Sequence, residues 1–451
     1  MNTHTPIQRD LPRPPLVKGA PLIGSLGHVL TNPFAFMNHA YSNHGAAFRI
    51  RVLSRESVII GGVDGNRFLA GPGKELLSTK GFLGKAAEKM GCPHMLLGAD
   101  GPPHQVQRNT IKPMLKPEVF QHRIGDLAEF SNDIIDNGLK QPSIAVGASL
   151  RQLISNQIGF SLQGYKTDYK EVEQLIYYFS AYNNIYGMRK WPALMLYTPK
   201  FLHAKRVVRA HSKRIMAMAE SRSDEERLAK PYYLDALLRA MDESDCPFTQ
   251  GDRDIHALLP FVLALDTVAA TLGFMLERII NEPHWLEVLQ PEIDKAFASG
   301  IPDLETLHGM EALNGFAKET LRLMPPAFSV VRTATRDFEF NGYQIKANED
   351  VVVFTTADHR NEQYFPRPLV FDISRYSEPR NEHRQVAYSP FGKGSHACLG
   401  TGLSDILLPL NFGILLHRCR VTPACDMKKI KLTFNPAPVL SDNFQISLSV
   451  R

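Results

Sequence analysis

The chain has 451 residues, 44% of them hydrophobic and 22% charged, and 51 Lys and Arg against 46 Asp and Glu leave a formal charge of +5. That length gives room for up to about three domains of ~150 residues and for a large core, so no disulfide scaffold is required. So mild a charge, with no Lys/Arg block, excludes a dedicated nucleic-acid binder. The five cysteines, Cys92, Cys246, Cys398, Cys419 and Cys425, are odd in number and scattered, which fits a reducing compartment.

The Pro/Gly-rich opening reads as an irregular lead-in up to about Gly27. It has no apolar stretch and no cleavage signature, so neither leader nor membrane anchor is expected, and the location expected is cytoplasmic. Two strand-like runs, 47–53 and 57–60, are joined by the polar turn Ser54-Arg55-Glu56 and predict a hairpin. From 105 to 280 the periodicity is helical. Within it, 257–276 is long enough to cross a bilayer. Asp266 at its middle and Pro260 interrupting its first turns argue instead for a helix buried in a core. Helical pattern continues through Met324 and stops at Pro325-Pro326; short β runs follow at 330–331, 338–345 and 351–355. The stretch 361–391 is loop-rich, and 398–416 reads as one more helix. The expected architecture is mainly α with a minor β portion, one domain over 1–451 with β-rich parts near 46–61 and 330–356.

The sharpest chemical signal is the string FGKGSHACLG, from Phe391 to Gly400. Gly392, Gly394 and Gly400 surround Cys398, and glycines at this density allow positive φ or close approach to something flat. A cysteine at the mouth of a helix has N–H groups and the positive end of the dipole nearby, which favours the thiolate that ligates metals. A buried cysteine beside a Gly-rich turn is the plain alternative. Zinc fits poorly, since no second Cys or His stands at ligand spacing. A single protein ligand suits a metal whose other ligands come from a macrocycle, which is heme.

The string resembles the cysteine-loop motif of the cytochrome P-450 family, F-x-x-G-x-[HR]-x-C-x-G, at every fixed position. Glu319 and Arg322 supply an E-x-x-R, which taken alone would be read as a surface ion pair. In the family that pair is buried and tied to an arginine before the cysteine loop, here matched by Arg375. Asp266-Thr267 resembles the family's oxygen-activating acid–alcohol pair; the plain alternative is a core ion pair for Asp266 and a bond from Thr267 to its own helix. His104, Arg108, Arg332 and His396 resemble the residues that hold the heme propionates, with Phe391, Gly392, Cys398 and Gly400 around heme b itself.

The resemblance implies the cytochrome P-450 fold, with Cys398 as the iron ligand. It also implies a heme-thiolate monooxygenase that inserts one oxygen atom of dioxygen into a lipophilic small molecule. Electrons would come from NAD(P)H through a separate ferredoxin or flavodoxin and its reductase. An acidic partner would dock near the cysteine loop, where the resemblance places Lys112, Lys116, Arg123, Arg384, Lys393 and Arg418. The alternatives are a peroxide-using or rearranging heme-thiolate enzyme, or a heme-based sensor. Leu263, Ala264 and Val330 are expected to line the substrate pocket, with further contacts from 82–97, 177–186, 327–331 and 436–440. Leu263 departs from the family, which usually has Ala or Gly there.

Overall fold

The apolar stretch forms the helix Leu259–Asn281, around which the other helices are arranged. The computed structural model describes residues 11–242, 248–434 and 437–451, so the first ten residues, Cys246 and Pro436 lie outside it. Leu265, Leu272, Met275 and Leu276 of the central helix are at most 2% exposed; such side chains contribute roughly 1.5–3 kcal/mol each by leaving water. Val146–Gln163, Tyr169–Tyr182, Glu311–Leu323 and Thr401–Arg418 pack against it. With the short helix before it, the run Gln250–Asn281 is apolar and long enough to span a bilayer, but 72% of its most apolar stretch is buried in protein, so it is a core helix. Pro260 does not interrupt this helix as the sequence suggested. It sits in the first turn, where its missing N–H costs nothing.

The two β-rich stretches join in one five-stranded sheet, in the order Ala47–Val52, Arg55–Gly61, Asp350–Phe354, Val330–Ala334 and Leu77–Ser78. Alternation sends Val58, Ile60, Val351 and Val353 to one apolar cluster and Phe48, Ile59 and Phe354 to another. Val52 pairs with Arg55, so the hairpin turns at Leu53-Ser54, one residue earlier than expected. Arg55 and Glu56 belong to the strand because each has a cross-strand partner: Arg55 with Asp350, and Glu56 with Arg49 at 2.6 Å. The lead-in ends in helix Leu26–Thr31, followed by Pro33–His44, whose first turn is capped by Asn32 through the Ala35 N–H at 2.9 Å.

The last long helix, Thr401–Arg418, begins three residues after Cys398 and not at it. It is fixed against Val146–Gln163 by a buried amide pair: Gln157 Nε2 donates to Asn411 Oδ1 at 2.7 Å, and Asn411 Nδ2 donates back to Gln157 Oε1 at 2.8 Å. Such a reciprocal pair leaves neither amide unsatisfied and pins the register of the two helices.

Candidate functional site

Helix Glu311–Leu323 sets Glu319 and Arg322 on one buried face. Arg322 donates from Nε and Nη2 to the two carboxylate oxygens, both at 2.7 Å. Arg375 Nε donates to the same carboxylate at 3.2 Å, the Tyr376 hydroxyl at 2.6 Å and the Asp372 N–H at 2.9 Å. Arg375 also meets Glu382 at 3.1 Å. Glu319, Arg322 and Arg375 are all fully buried, so this is not the surface pair the bare motif suggests. Arg322 further donates to the His359 carbonyl, and the His359 Nε2 accepts from the Ser389 N–H at 2.9 Å. Burial keeps that ring neutral, its pKa pulled down to about 3, as an accepting nitrogen requires. The network therefore runs without a break from Glu319 to the residue two before Phe391.

In the loop itself, Gly392 and Gly394 have φ of 70° and 78°, the left-handed region that glycine tolerates. A Cβ on Gly394 would also strike the Leu69 carbonyl oxygen at 2.7 Å. Gly400 has an ordinary φ of −86°, and a Cβ there would make only an ordinary van der Waals contact with Cys398 Sγ, at 3.8 Å. The loop is closed by the Cys398 N–H donating to the Phe391 carbonyl at 2.9 Å. Cys398 is exposed, unlike the buried Cys92 and Cys419. Even so, the surrounding protein desolvates its thiol and pushes the pKa up, against the pull of the Gly400 N–H, Thr401 and Arg108. The expectation that the helix mouth favours thiolate is thus corrected: the helix starts beyond the cysteine and desolvation outweighs the donors. A metal would reverse the balance, since a coordinating thiol is deprotonated outright.

The four cationic and imidazole residues converge beside this loop. Arg108 Nη2 donates to the Ala397 carbonyl at 2.8 Å. The His104 and His396 rings stack with centroids 3.8 Å apart, and burial plus the neighbouring His396 and Arg108 pull His104 down to about 4. Arg332 is 7% exposed, and the one hydrogen bond of its side chain among the described residues goes to the Val331 carbonyl at 2.8 Å; burial pulls its pKa to about 10. A guanidinium this buried without a carboxylate is a site short of an acceptor. Asp100, not singled out in the sequence, completes the ring from the other side. It accepts from the Ser78 hydroxyl at 2.6 Å and from the N–H groups of Thr79 and Lys80, and pairs with His396 at 3.4 Å. Burial opposes its charge, but these donors prevail and hold it well below the usual carboxylate range. A donor set richer than its acceptors, beside an exposed cysteine, fits a heme with its two propionates.

On the central helix, Leu263 is 40% exposed although it lies on a core helix, so protein leaves that side open. Thr267, four residues on, shares this side. Its hydroxyl donates back to the Ala264 carbonyl at 3.1 Å. Asp266 accepts from Arg151 Nε at 3.2 Å, across 115 residues of sequence. Both side chains thus hold the partners that the plain alternative described. The Asp266–Arg151 pair borders a cavity of about 30 Å³ with Gly147, Ala270 and Leu440, enough for a water molecule. Ala264 and Val330 are half-buried, and Val330 shares its strand face with Arg332. Of the other expected pocket segments, Cys92, Met95, Tyr178 and Tyr182 are at most 5% exposed and belong to the core. Phe82 and Tyr186 are half-buried, on turns that meet where a Cβ on Gly187 would lie 3.3 Å from Phe82.

The basic residues expected around the loop divide. Lys112, Lys116 and Arg384 are exposed, and Lys393 lines a groove of about 260 Å³ with Lys318, Phe391 and Asp405. Arg123 does not belong: it is 2% exposed, donates to the Ser161 carbonyl at 2.8 Å and lies 4.3 Å from the Tyr232 ring. Nor does Arg418, which sits at the far end of an 18-residue helix and pairs with Asp136 at 2.6 Å; that length is about 27 Å.

The cytochrome P-450 family model matches residues 14–447. Cytochrome P-450 136 of Mycobacterium tuberculosis is 28% identical over 220 residues, 48% of this chain and 44% of that protein. Sterol 14alpha-demethylase of Mycolicibacterium vanbaalenii is 30% identical over 188 residues, 41% of this chain and 42% of that protein. The chain thus spans under half the length of these relatives. The structure of retinoic acid-bound cyanobacterial CYP120A1 aligns at a TM-score of 0.83 and 20% identity, covering 98% of this chain and 100% of that one. The chain belongs to the cytochrome P-450 family and has its mainly helical fold with small sheets. Membership implies a heme iron.

Proposed function

We propose that the chain is a heme-thiolate monooxygenase acting on a lipophilic small molecule. The observation that carries this is the exposed Cys398 beside a buried Arg332 that lacks a carboxylate. When bound, heme supplies dioxygen activation, and a thiolate ligand favours cleavage of the oxygen–oxygen bond. Cys398 Sγ is the ligand, and His104, Arg108, Arg332 and His396 donate to the propionates. Phe391, Gly392 and Gly400 give the cofactor room. Glu319, Arg322 and Arg375 hold the loop in place. Asp266 takes a proton from water in the small adjoining cavity once it releases Arg151, and Thr267 passes it on by turning its hydroxyl away from the Ala264 carbonyl. Leu263, Ala264 and Val330 bound the substrate space. A terpenoid, steroid or fatty acid suits such walls, and the sterol and the retinoic acid named for the relatives agree with that class. A separate ferredoxin or flavodoxin, with a reductase drawing on NAD(P)H, supplies electrons in the cytoplasm; Lys112, Lys116, Arg384 and Lys393 steer it.

Reconstituted with such partners, the protein should form product only when dioxygen is present. Product from peroxide alone would instead support the peroxide-using reading, and ligand binding with no turnover a sensor. Asp266→Asn should slow product formation about a hundredfold or more while leaving the carbon monoxide spectrum unchanged. Full activity in that variant would reduce Asp266 to an ion-pair partner of Arg151. Leu263→Ala should admit larger ligands and change which carbon is oxidised, read from difference spectra over a compound panel and from product analysis. An unchanged ligand range and regiochemistry would show that Leu263 is no wall.

A further inference from the structure

The groove of about 260 Å³ beside the cysteine loop is shaped by three separate parts of the chain: the helix Glu311–Leu323, the segment 383–393 and the first half of the helix Thr401–Arg418. It shares Phe391 and Gly392 with the loop, but neither Cys398 nor any of His104, Arg108, Arg332 and His396 lines it. It is therefore a different space from the one those residues surround. Its walls are apolar: Leu321, Tyr388 and Leu408 are at most 7% exposed, and Phe391 stands beside them.

The polar groups of the groove are short of partners. Ser389 is 1% exposed, and its hydroxyl has no hydrogen-bond partner among the described residues. The residue cannot turn away to find one, because its N–H is held by His359 at 2.9 Å. His383 presents a second unpartnered atom, Nδ1; burial, with Lys318 and Arg384 nearby, pulls the pKa of that ring down and keeps it neutral. Lys318 and Lys393 are half-buried, and neither has an ion-pair partner among the described residues. Asp405 is the one carboxylate among the described lining residues, and desolvation raises its pKa. Two ammonium groups against one carboxylate leave an excess of one positive charge in an apolar hollow.

We infer that this groove binds a small organic monoanion. Its flat apolar body lies between Leu321, Tyr388, Phe391 and Leu408, and its carboxylate is held by Lys318 and Lys393 and accepts from the Ser389 hydroxyl. Apolar walls with a few convergent polar groups are the make-up of small-molecule sites, and hydrogen bonds from cations to a carboxylate are among the strong ones. An acidic protein would meet the two lysines from outside and leave Ser389 unpartnered. A small molecule that enters the groove satisfies all three.

Calorimetric titration of the heme-loaded protein with 2-naphthoate tests this, with 4-phenylimidazole already bound to fill the substrate space. Binding should saturate. The alcohol 2-naphthalenemethanol and the amine 2-naphthylmethylamine keep the rings but lose the anion, and should bind at least about tenfold more weakly. Lys318→Gln with Lys393→Gln, and separately Ser389→Ala, should each weaken 2-naphthoate by about tenfold or more. Ser389→Ala should not lower the melting temperature, because its hydroxyl has no partner to lose. Unchanged circular dichroism and carbon monoxide spectra would show that both variants are folded. No binding by the wild type, equal binding of the alcohol, or full binding by the folded lysine variant would overturn the inference. So would binding seen only without 4-phenylimidazole, which would place the naphthoate in the substrate space.

Discussion

Replacing Cys398 by alanine should abolish the red-shifted Soret band of the reduced, carbon monoxide-treated protein, and all turnover with it. The effect should be complete because, among the described residues, no neighbour can substitute. Cys92 and Cys419 are buried, Cys425 is hydrogen-bonded to the Gln445 carbonyl, and His396 is held in its stack with His104. The variant should still fold. The loop is closed by the N–H of residue 398 donating to Phe391 and by Arg108 donating to the Ala397 carbonyl, neither of which needs the thiol. Thermal unfolding of the heme-free protein should therefore be unchanged. A red-shifted band that survived in Cys398→Ala would place the ligand elsewhere.

Glu319→Ala should be strongly destabilising. The carboxylate neutralises two guanidinium groups that have no access to water, and its loss would leave Arg322 with main-chain carbonyls alone and Arg375 with Glu382 as its remaining carboxylate. Breaking a buried pair from one side costs about 3–5 kcal/mol, a large share of the ~5–15 kcal/mol by which a folded domain is stable. The urea midpoint should fall sharply, and heme retention with it, because the same network positions Ser389 just before the loop. Glu319→Gln keeps the shape but not the charge, and should lie between. A wild-type midpoint in Glu319→Ala would mean the network does not bear on the fold.

What the sequence disclosed was what is local. The cysteine loop is a continuous string, Glu319 and Arg322 are one helical turn apart, and the central helix announces itself by composition. Partners from distant segments left no such trace. Arg151 is an ordinary polar position on its own helix until the fold sets it against Asp266. Asp100 and His359 act through main-chain N–H and carbonyl groups, which carry no residue identity for a motif to show. Arg123 reads as a surface cation because arginine usually is one, and only tertiary contact with Ser161 and Pro231 makes it a buried one. Arg418 differs in this, because its distance from the loop is local too: the helical residues 401–417 lie between them.

As a monooxygenase the chain would split dioxygen and place one of its atoms in an organic substrate. Turnover under heavy-isotope dioxygen in ordinary water, with the reconstituted electron-transfer partners and a compound that displaces iron-bound water, tests it most directly. The product should carry one heavy oxygen atom, and the other should leave in water. Product whose new oxygen is light, or product formed equally without dioxygen, would contradict it.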